Sequence, residues 1–509
     1  MRSKKAFYNS AAALALEFVT VICGFILPRL ILVRFGSNYN GIISSITQFL
    51  SYIALLSTGV GGVTRAALYK PLAEGDIGAI SAIMRATENF MRKVALIFGA
   101  ALVAFAGLYP LLAGNNFEWL FTFSLVLILG ISTLAQYYFG ISCSMIIQAD
   151  QRQYVASTVK ITTTILNTII AAVLIKSGAT IHVVKLGSAI VFAFNPIVMY
   201  AYVHKKYGII RGIAPNDAAI KQRWDAFAHQ IAGFVRSNTD IIILTIFSNF
   251  KEISVYTIYY MVASGIRRIV ITFSGGMEAA FGNMIAKGEG AALKRNVRIY
   301  EFIVFSAASA MFTTAALLIV SFVALYTKGV SDVNYTRPAF AYIICIAEFL
   351  FCIRLPYQAA VQAAGHYRQT RNGSIFEAIL NITISLALAK PFGIMGVAIG
   401  TLCAMLFRTA QYAIYMSKHI VVRGIWEFIK RFTISIFNSA AIVLVVRIMP
   451  LYDAIDYFGW VCNGFIVFGV AIVITVLIGT MVYRKDMLSV ITMLKNLLSR
   501  KRAKSSRHG

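Results

Sequence analysis

Charge is scarce in this 509-residue chain, and acidic charge scarcest of all: Asp and Glu number 20 against 47 Lys and Arg, and charged residues make up only 13%. So little charge excludes an ordinary soluble domain, whose surface needs about a quarter of its residues charged. Imidazole and thiol ligands for a metal are few, with six His and six Cys. The cysteines (Cys23, Cys143, Cys345, Cys352, Cys403 and Cys462) are scattered through apolar runs, where neither paired disulfides nor a metal cluster is expected. No nucleophile–base set, zinc motif or phosphate-cradling Gly-rich loop occurs, so no catalytic residue, metal or cofactor is expected. Long polar loops are missing too. The longest outer connection runs from about Tyr326 to Arg337, which disfavours a membrane-bound polysaccharide polymerase or ligase holding donor and acceptor in an external structure.

What fills the chain is apolar: 59% of residues, with a mean hydropathy of +0.75. About fourteen runs have the roughly 17 to 25 residues needed to cross a bilayer as a helix. They lie near 11–33, 41–64, 94–113, 119–147, 154–175, 184–203, 226–247, 253–277, 300–325, 339–363, 373–389, 394–416, 432–449 and 458–482. Arg2, Lys4 and Lys5 before the first run imitate a signal peptide, but the apolar stretch continues to Val33 and reads as an uncleaved first helix.

An internal repeat organises these runs. Gly61-Gly62 recurs as Gly275-Gly276, Gln148-Ala149 as Gln362-Ala363, Ile165-Leu166-Asn167 as Ile379-Leu380-Asn381, and Lys176 as Lys390, always 214 positions on. Each copy carries six spans. Because six is even, both copies enter the membrane in one orientation, which makes a parallel repeat about an axis along the membrane normal. The expected fold is therefore all-α and integral to the membrane, with about 14 transmembrane helices. It comprises an N-terminal six-helix lobe (1–203), an inter-lobe linker (204–225), a C-terminal six-helix lobe (226–418) and two extra helices (419–483). A basic amphipathic tail (484–509) follows, with Met487, Val490, Ile491, Leu494, Leu497 and Leu498 at helical spacing. Two such lobes facing each other would enclose a cavity.

The net charge of +27 is distributed as a membrane protein requires. Lys and Arg gather in alternate loops, as at Arg85, Arg92 and Lys93, at Lys205 and Lys206, at Lys294, Arg295 and Arg298, and at Lys430 and Arg431. This positive-inside asymmetry places both termini in the cytoplasm. The excess therefore records topology and contact with anionic membrane lipids rather than nucleic acid.

Charges inside the spans need another explanation, because an ionisable group there is costly and usually faces a cavity or a partner. In the seventh span Arg236 and Asp240 share a helical face; in the eighth Tyr256, Tyr260, Ser264, Arg267, Ser274 and Glu278 form a polar stripe, with Arg268 next to it in sequence. Arg236 and Asp240, at i and i+4, can also simply neutralise each other. Arg29 follows Pro28 in the first span and either snorkels to headgroups or faces inward. Arg354 precedes Pro356 in the tenth. Arg236, Asp240, Arg267 and Arg354 match Ile22, Ile26, Ile53 and Gly140 in the first copy, so the second lobe carries a specialised charge set.

The run Pro28-Arg29-Leu30 to Phe35-Gly36, Tyr39-Asn40-Gly41, Gly61-Gly62 and Leu72-Ala73-Glu74-Gly75-Asp76, with its echo at Phe247 to Tyr256 and Ala286-Lys287-Gly288-Glu289, resembles the polysaccharide transporter family. Asn238 to Leu244 adds to the likeness, which covers roughly residues 6 to 420. The family belongs to the multidrug, oligosaccharidyl-lipid and polysaccharide exporter superfamily. The resemblance implies a flippase of the bacterial inner membrane that carries undecaprenyl-pyrophosphate-linked oligosaccharide by alternating access, for O-antigen, capsule or exopolysaccharide. A polysaccharide polymerase and glycosyltransferases would be its partners.

Guanidinium groups suit a pyrophosphate, and Arg29, Arg236, Asp240, Arg267, Arg268, Arg354, Tyr256 and Tyr260 form the candidate substrate-binding set. Tyr137 and Tyr138 offer further aromatic faces for sugar rings. A peptidoglycan-precursor flippase is the alternative reading. A multidrug exporter fits less well, since drug exporters of this superfamily often place acids where this chain has arginines.

Overall fold

The computed structural model describes residues 2–57, 60–210, 212–220, 239–274, 277–451 and 456–492. Among them the regular structure is helical, and twelve helices are long and apolar enough to cross a membrane. They follow the apolar runs, several of them extending a turn or more beyond the run into polar sequence.

Two of the fourteen expected spans fall outside those twelve for local reasons. The run 41–64 is divided into Ser37–Ile53, a 3-10 turn Ala54–Ser57 and Val60–Glu74. The run 226–247 lies outside the described residues up to 238, and Asp240–Phe247 is its described end.

Helix starts are marked by acceptors. Asp76 accepts from the Ala79 amide before Ile77–Ala113, and Asp456 from the Gly459 amide before Tyr457–Val482, each satisfying one orphan donor of a first turn. Outward faces carry Leu96, Leu111, Phe465 and Met481 almost fully exposed, as apolar residues meant for lipid must be.

The 214-residue register is visible in the element boundaries. Ile141–Ala149 is answered by Leu355–Ala363, Ile77–Ala113 by Gly290–Tyr326, Gln153–Lys176 by Tyr367–Phe392 and Ile181–Tyr207 by Ile394–His419. Even an irregularity repeats. The π turn Gln136–Gly140 interrupts the first copy where Arg354 interrupts the second, between Pro338–Ile353 and Leu355–Ala363. Pro356 explains the second break, because it removes a backbone donor.

The chain packs as two compact units, Met1–Ser254 with Gly329–Val333, and Val255–Lys328 with Asn334–Gly509. In the first, Ser45 Oγ lies 2.7 Å from Thr245 Oγ1 and also accepts from the Tyr109 hydroxyl at 2.7 Å. Asn40 Nδ2 donates to Ser254 Oγ at 2.9 Å, a contact between residues 214 positions apart. Gly41 is required here, since a Cβ would fall 1.8 Å from the Phe250 carbonyl oxygen. Asp332 caps Ser37–Ile53 from the loop 329–333, taking the Ser37 amide at 2.8 Å and its hydroxyl at 2.6 Å.

Asp150, between helices, accepts from Lys5 Nζ at 2.8 Å, Tyr207 Oη at 2.8 Å and Arg152 Nε at 2.5 Å. Burial pushes the Asp150 carboxyl up, but these hydrogen bonds outweigh burial and hold it below its ordinary range.

In the second unit the last two helices pack on Gly290–Tyr326 through Ala310, Leu318, Ile442, Val446, Val467 and Ala471. Asn438 Nδ2 bridges Ser309 Oγ at 2.9 Å and Thr475 Oγ1 at 3.0 Å, a buried amide satisfied by neighbouring helices. At one end of this group Arg423 pairs with Glu301, and Arg431 reaches both Glu301 (3.4 Å) and Asp486 (3.0 Å). Asp486 also meets Arg298 at 2.8 Å and is itself buried. The start of the tail is thus clamped to the bundle, while Leu494, Leu497 and Leu498 lie outside the described residues. Asp486→Ala should release it. Trypsin cleavage after Arg484 and Lys485 should then speed up about tenfold, whereas unchanged cleavage would show that the ion pairs hold nothing.

Candidate functional site

The candidate residues separate by unit. Arg29 and Asp240 lie in the first; Tyr256, Tyr260, Arg267, Arg268 and Arg354 lie in the second; Arg236 lies outside the described residues. Arg29 is half-buried, and Asp240 occupies the first turn of Asp240–Phe247, where the helix dipole favours a carboxylate.

Within the second unit the structure assembles a charged centre. Phe250–Ser274 carries Arg267 on the same face as Tyr260, seven residues and two turns earlier. Arg267 Nη1 donates to both Glu348 oxygens, at 2.9 and 3.0 Å, and its Nη2 donates to Tyr260 Oη at 3.0 Å. Tyr256 stacks on Tyr260 with centroids 5.8 Å apart and is itself buried. Phe351 is shared: the Arg267 guanidinium stands 5.1 Å from its centroid and that of Arg354 4.2 Å.

Arg354 Nη1 donates to Glu377 Oε1 at 2.9 Å, with both side chains fully buried. A second arginine completes the group. Arg408 Nε lies 3.4 Å from Glu377 Oε2, and its other nitrogens donate to Thr370 O (3.1 Å), Ser374 Oγ (2.5 Å), Gln411 Oε1 (2.5 Å) and Tyr412 Oη (2.8 Å).

The chemistry divides accordingly. Arg354, Glu377 and Arg408 form an enclosed Arg–Glu–Arg triad, whose attraction must offset a large desolvation cost and which is sensitive to loss of its acid. Arg267 differs, because its side chain keeps 19% exposure while Glu348 keeps 3%. The carboxylate orients the guanidinium, and the side chain as a whole keeps an accessible part, a setting in which a guanidinium can receive an anionic oxygen. Arg268 beside it is exposed. Of the first-copy tyrosines, Tyr137 is buried with its hydroxyl donating to the Ala54 carbonyl at 2.7 Å, whereas Tyr138 is exposed with Arg92 over its ring at 5.3 Å.

The arginine pattern had pointed to Arg267 and Arg354, but not to Arg408, nor to Lys185 in the first unit. The signal was there in both cases, a cation isolated in an apolar run. No group of three or more His, Cys, Asp or Glu able to hold a metal ion occurs among the described residues.

No protein-family model matches the chain, and no curated protein matches it by sequence. Solved structures do. The lipid II flippase MurJ in an inward closed conformation superposes with a TM-score of 0.69 over 93% of this chain and 99% of its own, at 14% identity. The fold is that of MurJ and the MATE transporters. An inward-facing multidrug resistance MATE transporter of the MOP superfamily matches with a TM-score of 0.60 over 80% of this chain and 98% of its own, at 13% identity. A MATE transporter of Vibrio cholerae gives 0.58 over 83% and 99%, at 14% identity. These structural neighbours are transporters, and the chain shares their multi-pass membrane architecture.

Proposed function

We propose that this chain is a flippase of the bacterial inner membrane, moving undecaprenyl-pyrophosphate-linked oligosaccharide to the outer leaflet by alternating access for surface polysaccharide synthesis. Arg267 carries the reading. It is a guanidinium in an apolar helix, oriented by Glu348 and Tyr260 yet still partly exposed. A pyrophosphate entering from a lipid headgroup presents the charge and planar oxygens that such a fork binds. Arg268 adds positive charge beside it, and Tyr260, whose hydroxyl the fork holds, adds an aromatic face alongside Phe351. The polyprenyl tail stays in lipid, so only the head needs protein. Arg354 acts through position: by holding Glu377 it fixes the break at which Leu355–Ala363 begins. Both termini are placed in the cytoplasm, with glycosyltransferases supplying the cargo and a polymerase consuming it.

A peptidoglycan-precursor flippase is the second reading, favoured by the 93% of this chain that the lipid II flippase covers. Both cargoes share the polyprenyl pyrophosphate and differ in the sugars. Purified protein in vesicles carrying either a fluorescent polyprenyl-pyrophosphate oligosaccharide or fluorescent lipid II separates them. The expected result is flipping of the oligosaccharide lipid, at least tenfold faster than lipid II. The reverse preference would establish the second reading, and inactivity towards both with export of a cationic dye would overturn both.

A further inference from the structure

We infer that the first unit holds a binding site for a small monovalent anion, centred on Lys185. This lysine stands in the second turn of Ile181–Tyr207, a position from which a lysine can snorkel to the headgroups. It does not do so. Its exposure is 8%, and it lines a cavity of about 260 Å³ inside the bundle, together with Asn167, Ser188, Ser132, Thr133 and Thr47.

No carboxylate lines this cavity, and Lys185 makes no ion pair among the described residues. Two further polar atoms there are also unpartnered among the described residues. Asn167 Oδ1 and Ser188 Oγ are buried without a hydrogen bond, on residues 4% and 9% exposed. A cation left unpaired in a membrane span is expensive, and so is each orphaned polar atom. The Lys185 ammonium is met by an occupant that accepts hydrogen bonds and carries negative charge, and the Ser188 hydroxyl on the same cavity wall can turn to donate to it.

The donor set defines that occupant. An ammonium, a hydroxyl and an amide that can turn its N–H₂ inward all donate, which disfavours a metal cation. The volume admits a monoanion with several waters. Repeat register shows that the fold itself does not need the charge, because the position matching Lys185 is Ile399 while Asn167 is matched by Asn381. An adjoining cavity of about 440 Å³ shares Ser132, Thr133 and Phe192 and adds Gln136, Gln153 and Lys160, so polar surface continues from the site along the bundle.

The site is independent of the cargo reading and is tested on the full-length protein in detergent, without transport. Thermal unfolding is followed while sodium bromide or sodium acetate replaces sodium gluconate at constant sodium and ionic strength. Bromide and acetate should raise the wild-type midpoint saturably, by on the order of 3–6 °C. Lys185→Met should lose this response and melt in gluconate no lower than wild type, since it removes an uncompensated charge. Ser188→Val should weaken the bromide midpoint about tenfold while keeping saturation, which guards against a methionine variant that fails to fold. An equal rise in Lys185→Met, or no rise in wild type, would overturn the site.

Discussion

Glu377→Gln should be the most damaging single substitution in the second unit, lowering stability by about 3–5 kcal/mol. The carboxylate is the shared acid of Arg354 and Arg408, and all three side chains are at most 2% exposed. Glutamine keeps the shape and one acceptor but removes the negative charge that two guanidinium groups share in a dry interior. The two arginines are not equally stranded. Arg408 retains the Thr370 carbonyl, Ser374, Gln411 and Tyr412, whereas the remaining contacts of Arg354 include the Phe351 ring at 4.2 Å and Met405 Sδ at 3.7 Å. Adding Arg354→Met to Glu377→Gln should therefore restore more of the thermal midpoint than adding Arg408→Met. Replacement of the whole triad by Leu and Met should come close to wild type, because well-packed apolar groups avoid the desolvation cost altogether. An unchanged midpoint in Glu377→Gln would mean that the arginines find water or lipid phosphate instead, and that the triad is not closed.

The contrast between what was legible in the chain and what was not follows from the range of the physics involved. Spans are local: apolar runs such as 119–147 and 184–203 reappear within Trp119–Ala149 and Ile181–Tyr207 because each helix satisfies its own backbone. The repeat was legible for the same reason, a constant offset preserving helix after helix. Charge pairing is not local. Arg267 and Glu348 are 81 positions apart, and whether they meet depends on how two helices are rotated about their axes.

Arginines in apolar runs were recognisable as exceptional, and Glu348 and Glu377 stood among the acids in spans. Nothing in the spacing assigned one to the other. Arg408 and Lys185 escaped for a related reason, since each sits on a helix whose remaining pattern is ordinary. The opposite fates of these two cations, one held by an acid and four neutral acceptors, the other facing a cavity lined by no carboxylate, emerge only once the helices are packed.

Arg267→Ala should cut translocation of polyprenyl-pyrophosphate oligosaccharide by about 10- to 100-fold, the loss expected when a charge-assisted donor worth roughly 1.5–3 kcal/mol is removed. Stability complicates this variant, because alanine takes two contacts and a countercharge from Glu348, which is 3% exposed. The pair Arg267→Ala with Glu348→Gln removes both charges and should fold well, so a transport defect that persists in it belongs to Arg267 itself. Arg267→Lys gives the complementary information. Lysine can still neutralise Glu348, keeping the fold, but a single ammonium cannot face the carboxylate, Tyr260 and a phosphate oxygen at once as a planar fork can. Partial activity with a normal thermal midpoint is the expected outcome, read in vesicles with matched protein amounts, with Lys501→Ala as a control of little effect. Full activity of the properly inserted alanine variant would move Arg267 to a purely structural role and leave the flippase reading to the remaining arginines, whose own alanine variants would then have to show the loss.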